Sequence, residues 1–182
     1  MNFRLVYEGP LKASRGAADK QTLRRYFQPQ LRELMNRKAM AHIKRLVVME
    51  HQSITFVKQG DFKFAPIFTE KLEHVVKLNI TMLTPEEPGR VVTQGGDLDN
   101  RLKTLFDALR VPKVGELPSG DTPSEDEQPF FCLLEDDALI SAVSVETDRL
   151  LRPVGQSDVV LIIQVLPESI SPSLGMVRWQ MG

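Results

Sequence analysis

Two stretches of the chain carry residue types suited to chemistry at a phosphate. The first runs Asp97-Leu98-Asp99-Asn100-Arg101-Leu102-Lys103 and continues to Asp107; the second is Glu135-Asp136-Asp137. Carboxylates are hard oxygen donors, and Mg2+ is usually held by one or two of them together with waters and substrate phosphate. An ion held in this way polarises a phosphoryl oxygen and generates or orients a hydroxide. Lys103 adds a compact positive charge where negative charge builds up on the phosphoryl oxygens. The chemistry expected is therefore metal-assisted hydrolysis of a phosphodiester, with Asp97, Asp99 and Asp137 as the metal-binding carboxylates. Each residue also has a plainer role open to it. Asp97 or Asp99 suits a helix N-terminus, where the macrodipole favours a negative charge by about 0.3–1 kcal/mol. Glu135 to Asp137 suits a turn, and Lys103 suits an i,i+4 pair with Asp99 or Asp107 worth a few tenths of a kcal/mol.

The first stretch follows Gly95-Gly96 and reads as a helix from Asp97 to Leu109. At about 100° per residue, Asp99, Asn100, Lys103 and Asp107 share one arc, and Leu98, Leu102, Leu105, Phe106 and Leu109 share another. Packing of the apolar arc would hold the polar arc in place. Asn and Asp are poor interior helix residues, so stability alone does not account for this arrangement.

Several elements must position these groups. Phe3 to Tyr7 reads as a first strand. A helix capped by Asp19 is expected to run to about Arg37 on the stripe Leu23, Phe27, Leu31, Leu34 and Met35, leaving Arg24, Arg25, Arg32 and Lys38 toward solvent or a partner. Ile43 to Met49 is a strand or a helix end. Ser53–Val57 and Phe62–Ile67 flank Lys58-Gln59-Gly60-Asp61 as a hairpin. His74–Leu83, Ala138–Thr147 and Val159–Val165 read as further strands. Residues 112–129 hold four prolines, two glycines and five acidic residues, and are expected to form an exposed acidic loop. The tail, 167–182, reads as irregular. The fold expected is α+β: a single domain, 1–182, with a mixed β-sheet packed against helices and interrupted by the acidic loop.

The net charge of −1 hides an asymmetry. Residues 1–45 carry eleven basic and three acidic residues, whereas the remainder carries 12 basic and 21 acidic ones. The basic segment suits a polyanion, although a solvated helix face explains it equally well. Composition rules out several classes. The one cysteine, Cys132, lies in the run Phe130 to Leu134 and reads as a buried small hydrophobe. The three histidines, His42, His51 and His74, are scattered and read as structural or surface groups rather than a zinc site. An EF-hand beginning at Asp97 fails, with Arg101, Leu102 and Ala108 at its fifth, sixth and twelfth positions. There is no Walker loop and no dinucleotide fingerprint. No signal peptide is expected, nor a run of about 18 apolar residues to span a membrane, so a reducing cytoplasm fits.

Gly96-Asp97-Leu98-Asp99-Asn100-x-x-Lys103-x-x-x-Asp107-Ala108-Leu109, followed by Glu135-Asp136-Asp137-Ala138-Leu139-Ile140, resembles the RusA family of Holliday junction resolvases. Those are small, homodimeric, Mg2+-dependent endodeoxyribonucleases, often carried by prophages. The motifs cover about 25 of the 182 residues. The resemblance implies a RusA-like fold and a Mg2+ cofactor, with Mn2+ as the alternative. It implies Asp97, Asp99 and Asp137 as the essential metal-binding carboxylates, Asp136 as an accessory one, Lys103 as the essential lysine, and Asn100 and Asp107 as supporting residues. The expected reaction is paired cleavage of a four-way DNA junction by a homodimer, leaving 5′-phosphate and 3′-hydroxyl ends. DNA contacts would come from Lys12, Arg15, Lys20, Arg24 and Arg25. The chain departs from that family in the 30 residues separating Asp107 from Asp137, where a short turn is usual, and in its lower basicity. A non-catalytic nucleic-acid-binding or interaction protein of the same fold, or a nuclease for flaps or forks, therefore stays open.

Overall fold

The structure is a computed structural model that describes residues 2–11, 16–48, 56–87, 97–152, 155 and 157–170, with only the backbone of 42, 46–48 and 97. Helices and strands are mixed, and the strands form two sheets where one was expected. The chain divides into two compact units. The first comprises 1–15, 75–104 and 140–182; the second comprises 16–74 and 105–139.

The first unit holds a four-stranded sheet built from β1 (Phe3–Pro10), β4 (His74–Thr84), β6 (Ile140–Arg149) and β7 (Asp158–Ser169), in the order β1-β7-β4-β6. Period-two alternation sets its faces. Phe3, Leu5 and Tyr7, then Val76, Leu78, Ile80 and Met82, then Val159, Leu161, Ile163 and Val165 are all buried. Strands β1 and β7 run antiparallel with Leu5 opposite Ile163, and β4 and β6 run parallel with Leu78 opposite Val143. A one-residue slip would turn the whole apolar set to water, so the register is strongly specified. Strand β7 continues through Ser169, so the start of the expected irregular tail, 167–169, is strand; 171–182 lie outside the described residues.

The second unit holds α1 (Ala17–Asn36), α2 (Ala41–Val48) and a three-stranded sheet of β2 (Val57–Gln59), β3 (Phe62–Phe68) and β5 (Phe130–Leu134), in the order β2-β3-β5. Ile43 to Val48 is therefore the end of a helix, one of the two readings open to it. Strands β2 and β3 form the expected hairpin, turning at Gly60, whose φ of 57° suits glycine. Residues 53–55 of the first expected hairpin strand lie outside the described residues. Strands β3 and β5 run parallel, with Phe64 opposite Phe130. Phe62, Phe64 and Phe130 pack with ring centroids 5.2–5.6 Å apart, joined by Val111 and Cys132. Fully burying each such ring contributes about 1.5–3 kcal/mol, which gives this sheet a core of its own.

Helix α1 buries the expected stripe of Leu23, Phe27, Leu31, Leu34 and Met35. It also buries Gln21, Arg24 and Gln28, so its covered face is wider than the apolar residues mark out. The cap differs from expectation as well. Gly16 is the N-cap and Asp19 lies in the first turn, where its charge still suits the helix dipole. Cys132 is buried, and burial pushes its thiol up to about 12.

Candidate functional site

Helix α3 spans Asp97–Leu109, the bounds expected from its periodicity. Its residues 97–104 belong to the first unit and 105–109 to the second. Leu105 and Leu109 of the apolar arc are buried and Leu98, Leu102 and Phe106 half-buried, with Arg101, Thr104 and Ala108 buried beside them, while Asp99, Asn100 and Lys103 are exposed on the polar arc. Among the described residues neither the Asp99 carboxylate nor the Lys103 ammonium has an ion-pair partner, so the expected i,i+4 pairs of Lys103 do not form. Asp97 is the first helical residue, and its side chain lies outside the described residues.

Asp107, the last member of the polar arc, is buried and its carboxylate is used on both oxygens. Lys20 donates from Nζ to Oδ2 at 2.6 Å, and Arg110 donates from Nη2 to Oδ1 at 2.5 Å. Arg24 donates to the Asp107 backbone carbonyl at 2.8 Å. Glu116 completes the cluster by accepting from Nη1 and Nη2 of Arg110, both at 2.9 Å. The Arg110 hydrogen bonds hold the Glu116 carboxyl down to about 2, aided by the Lys113 backbone N–H and opposed by partial burial. Burial lowers the Arg24 pKa, and nearby Glu116 and Asp107 oppose that shift. Burial also pulls the Arg110 pKa down, but Glu116 and Asp107 outweigh it and leave a net rise. The spacing of Asp107 and Arg110, three residues apart at the end of a helix, was the available sign of this cluster. Glu116 lies in the loop and carried no periodic signal.

The second acidic stretch lies between β5 and β6. Glu135 accepts a hydrogen bond from the Glu70 backbone N–H at 3.1 Å. Asp136 accepts from the Ala138 N–H at 3.0 Å and so closes the 3-10 turn Asp137–Leu139. That hydrogen bond holds its carboxyl below the usual carboxylate range, against slight burial, with help from a hydrogen bond to Asp137 and from the charge of Lys113, 3.7 Å away. Asp137 is exposed. The turn-forming role open to this stretch is thus filled by Asp136, whose carboxyl is also hydrogen-bonded to that of the exposed Asp137.

Asp97, Asp99, Asn100 and Lys103 therefore belong to the first unit, and Asp107, Asp136 and Asp137 to the second. Among the described residues no three His, Cys, Asp or Glu side chains gather as a metal-holding group. Taken separately, Asp99 in the first unit and Asp136 and Asp137 in the second have the donor chemistry of a hard cation's ligands, and among the described residues no arginine pairs with them. Asp107 does not fit as a direct ligand, because an ion would have to displace Lys20 and Arg110.

The candidate DNA contacts fare unevenly. Lys12 and Arg15 lie outside the described residues. Lys20 is partly exposed and bound to Asp107. Arg24 is 1% exposed, contrary to the expected solvent-facing position, because residues of 105–116 cover that side of α1. Arg25 remains more than a third exposed and binds the acidic segment, Nε to Glu127 Oε1 at 2.8 Å and Nη1 to Asp121 Oδ1 at 3.0 Å. Residues 112–129, expected as a free exposed loop, are instead tied to α1 and to the end of α3 by these ion pairs. Among the described residues no helix is long and apolar enough to cross a membrane. No protein-family model matches the chain, and no curated protein matches it in sequence.

Proposed function

We propose that this chain is a Mg2+-dependent endodeoxyribonuclease that cleaves branched DNA, with the four-way junction as its substrate and a homodimer as its working form. The observation that carries the reading is the exposed polar arc of α3, where Asp99, Asn100 and Lys103 face water in the order of the RusA motif while Leu105 and Leu109 of the apolar arc are buried. Asp99 and Asn100 are residues of low helix propensity that face water in α3, as expected of residues kept for chemistry. Asp97 and Asp99 would be the metal-binding acids of the first unit, and Asp136 and Asp137 those of the second; a metal, when bound, would supply a Lewis acid and an activated water. Lys103 contributes a cation to the scissile phosphate, and Asn100 a neutral donor and acceptor beside it. Asp107 supports the site indirectly: its bonds to Lys20 and Arg110 anchor the last turn of the helix that carries the acids.

The test is cleavage of a synthetic four-way junction under Mg2+, comparing the wild type with Asp99→Asn. Loss of at least a hundredfold in rate is expected, and equal cleavage by the two proteins would remove the assignment. Flap and fork substrates in the same assay define substrate class. Binding of the junction without cleavage under either Mg2+ or Mn2+ would favour the non-catalytic alternative.

A further inference from the structure

We infer that the acidic segment of the second unit is a built-in competitor for nucleic acid, its Asp121 and Glu127 occupying the Arg25 guanidinium that would otherwise bind a DNA phosphate. The inference rests on the reading of α1 as a DNA-facing helix. All three guanidinium nitrogens are engaged by this one segment. Nε and Nη2 reach the two oxygens of Glu127 at 2.8 and 3.3 Å, Nη2 also reaches the Thr122 carbonyl at 3.0 Å, and Nη1 reaches Asp121 at 3.0 Å. This fork-to-carboxylate geometry is also the geometry in which arginine takes a phosphate. The ring of Phe62 lies under the guanidinium, its centroid 5.8 Å from the guanidinium carbon, a contact that does not depend on the carboxylates.

Two kinds of contact divide the segment. Glu116 is fixed on both oxygens to Arg110, whose side chain is 3% exposed, and to the Lys113 N–H at 2.8 Å. The cation of the other contacts, Arg25, is 36% exposed, while Asp121 and Glu127 are 15% and 14% exposed. Ion pairs with one partner open to solvent weaken with salt, so a polyanion can compete for Arg25 while the anchor on the buried Arg110 holds. DNA affinity would then be set by the balance between two anions for one cation. It would rise when the internal one is neutralised.

The experiment uses the full chain and a fluorescent four-way junction, with binding read by anisotropy without Mg2+ from about 50 to 200 mM salt. Asp121→Asn with Glu127→Gln should bind roughly three- to tenfold more tightly at low salt. Its log-log salt slope should steepen by about 0.9, the signature of one added phosphate contact. Glu125→Gln with Asp126→Asn removes the same charge from exposed neighbours that do not touch Arg25 and should change affinity far less. Adding Arg25→Gln to the first variant should abolish the gain. An unchanged affinity, an equal gain in both pairs, or a gain that survives Arg25→Gln would each overturn the inference. Circular dichroism melts of every variant establish that folding is retained, and Arg25→Gln in the otherwise wild-type chain supplies a reading that needs no loop substitution. It should lower affinity much less there than in the neutralised background, and an equal loss in both would also overturn the inference. Junction cleavage by the wild type is scored separately. Cleavage with no change in affinity sinks this inference alone, and a change in affinity without cleavage sinks the nuclease reading alone.

Discussion

Replacing Asp107 with asparagine should destabilise the protein by about 3 kcal/mol, because it removes one of the two carboxylates that balance the buried Arg110 guanidinium. The Asp107 side chain is 9% exposed and that of Arg110 is 3% exposed, with 2.5 Å between donor and acceptor. At an effective dielectric of about 20, unit charges 4 Å apart attract by about 4 kcal/mol, and desolvation offsets part of that. Removing one member of a buried pair typically costs about 3–5 kcal/mol. The lower end applies here, because Arg110 keeps both oxygens of Glu116. Lys20, bonded at 2.6 Å and partly exposed, adds little to the loss. For a chain of this length, about 3 kcal/mol corresponds to a fall in Tm of about 6–12 °C. Urea unfolding followed by far-ultraviolet circular dichroism measures the loss, and a thermal melt checks it. Asp99→Asn is the comparator. Its carboxylate is exposed and makes no ion pair among the described residues, so its stability should lie within about 0.5 kcal/mol of wild type. A loss below about 1 kcal/mol for Asp107→Asn would refute the account of Asp107 as the charge partner of buried arginines. Equal losses for both variants would refute the distinction between them. A double-mutant cycle with Arg110→Met should show positive coupling, the pair together costing less than the sum.

The Glu116 carboxyl titrates near 2 in the folded protein against an ordinary 4.5, so its contribution to stability is present above about 4.5 and is lost as pH falls toward 2. That shift corresponds to about 3.4 kcal/mol at most, which solvent screening of a partly exposed carboxyl lowers to about 2–3 kcal/mol, so the stability gap between wild type and Glu116→Gln should be largest near neutrality and close over that window; a constant gap would contradict the assignment. Phe130→Ala should cost about 3–5 kcal/mol by opening a void beside Phe62 and Phe64, while Phe130→Leu costs much less; chemical denaturation distinguishes them. Cys132, buried and with its thiol near 12, should resist a thiol reagent at neutral pH in the native protein and react promptly in denaturant.

Elements whose identity is local were legible in the residues themselves. Strands β1, β4 and β7 alternate with period two, and helix α3 separates its apolar and polar residues into two arcs, so water sorts them wherever they lie in the fold. The exposed positions of Asp99, Asn100 and Lys103 followed from the same wheel. The residues of α2 allow either a strand or a helix end, because Leu46-Val47-Val48 is short and apolar with two β-branched members, and such runs have no diagnostic period. What only tertiary structure decided is pairing across long separations. No local rule says that Phe64 lies beside Phe130 in a separate sheet, or that Asp107 meets Lys20. Arg24 shows the reason most clearly. Gln21, Arg24, Gln28, Leu31 and Met35 recur at helical spacing, yet their polar members look solvent-facing until residues 83 and 92 positions further along bring Asp107 and Glu116 over the guanidinium. Burial of a charge depends on a partner, and the partner's position is set by the folded chain rather than by the helix that carries the charge.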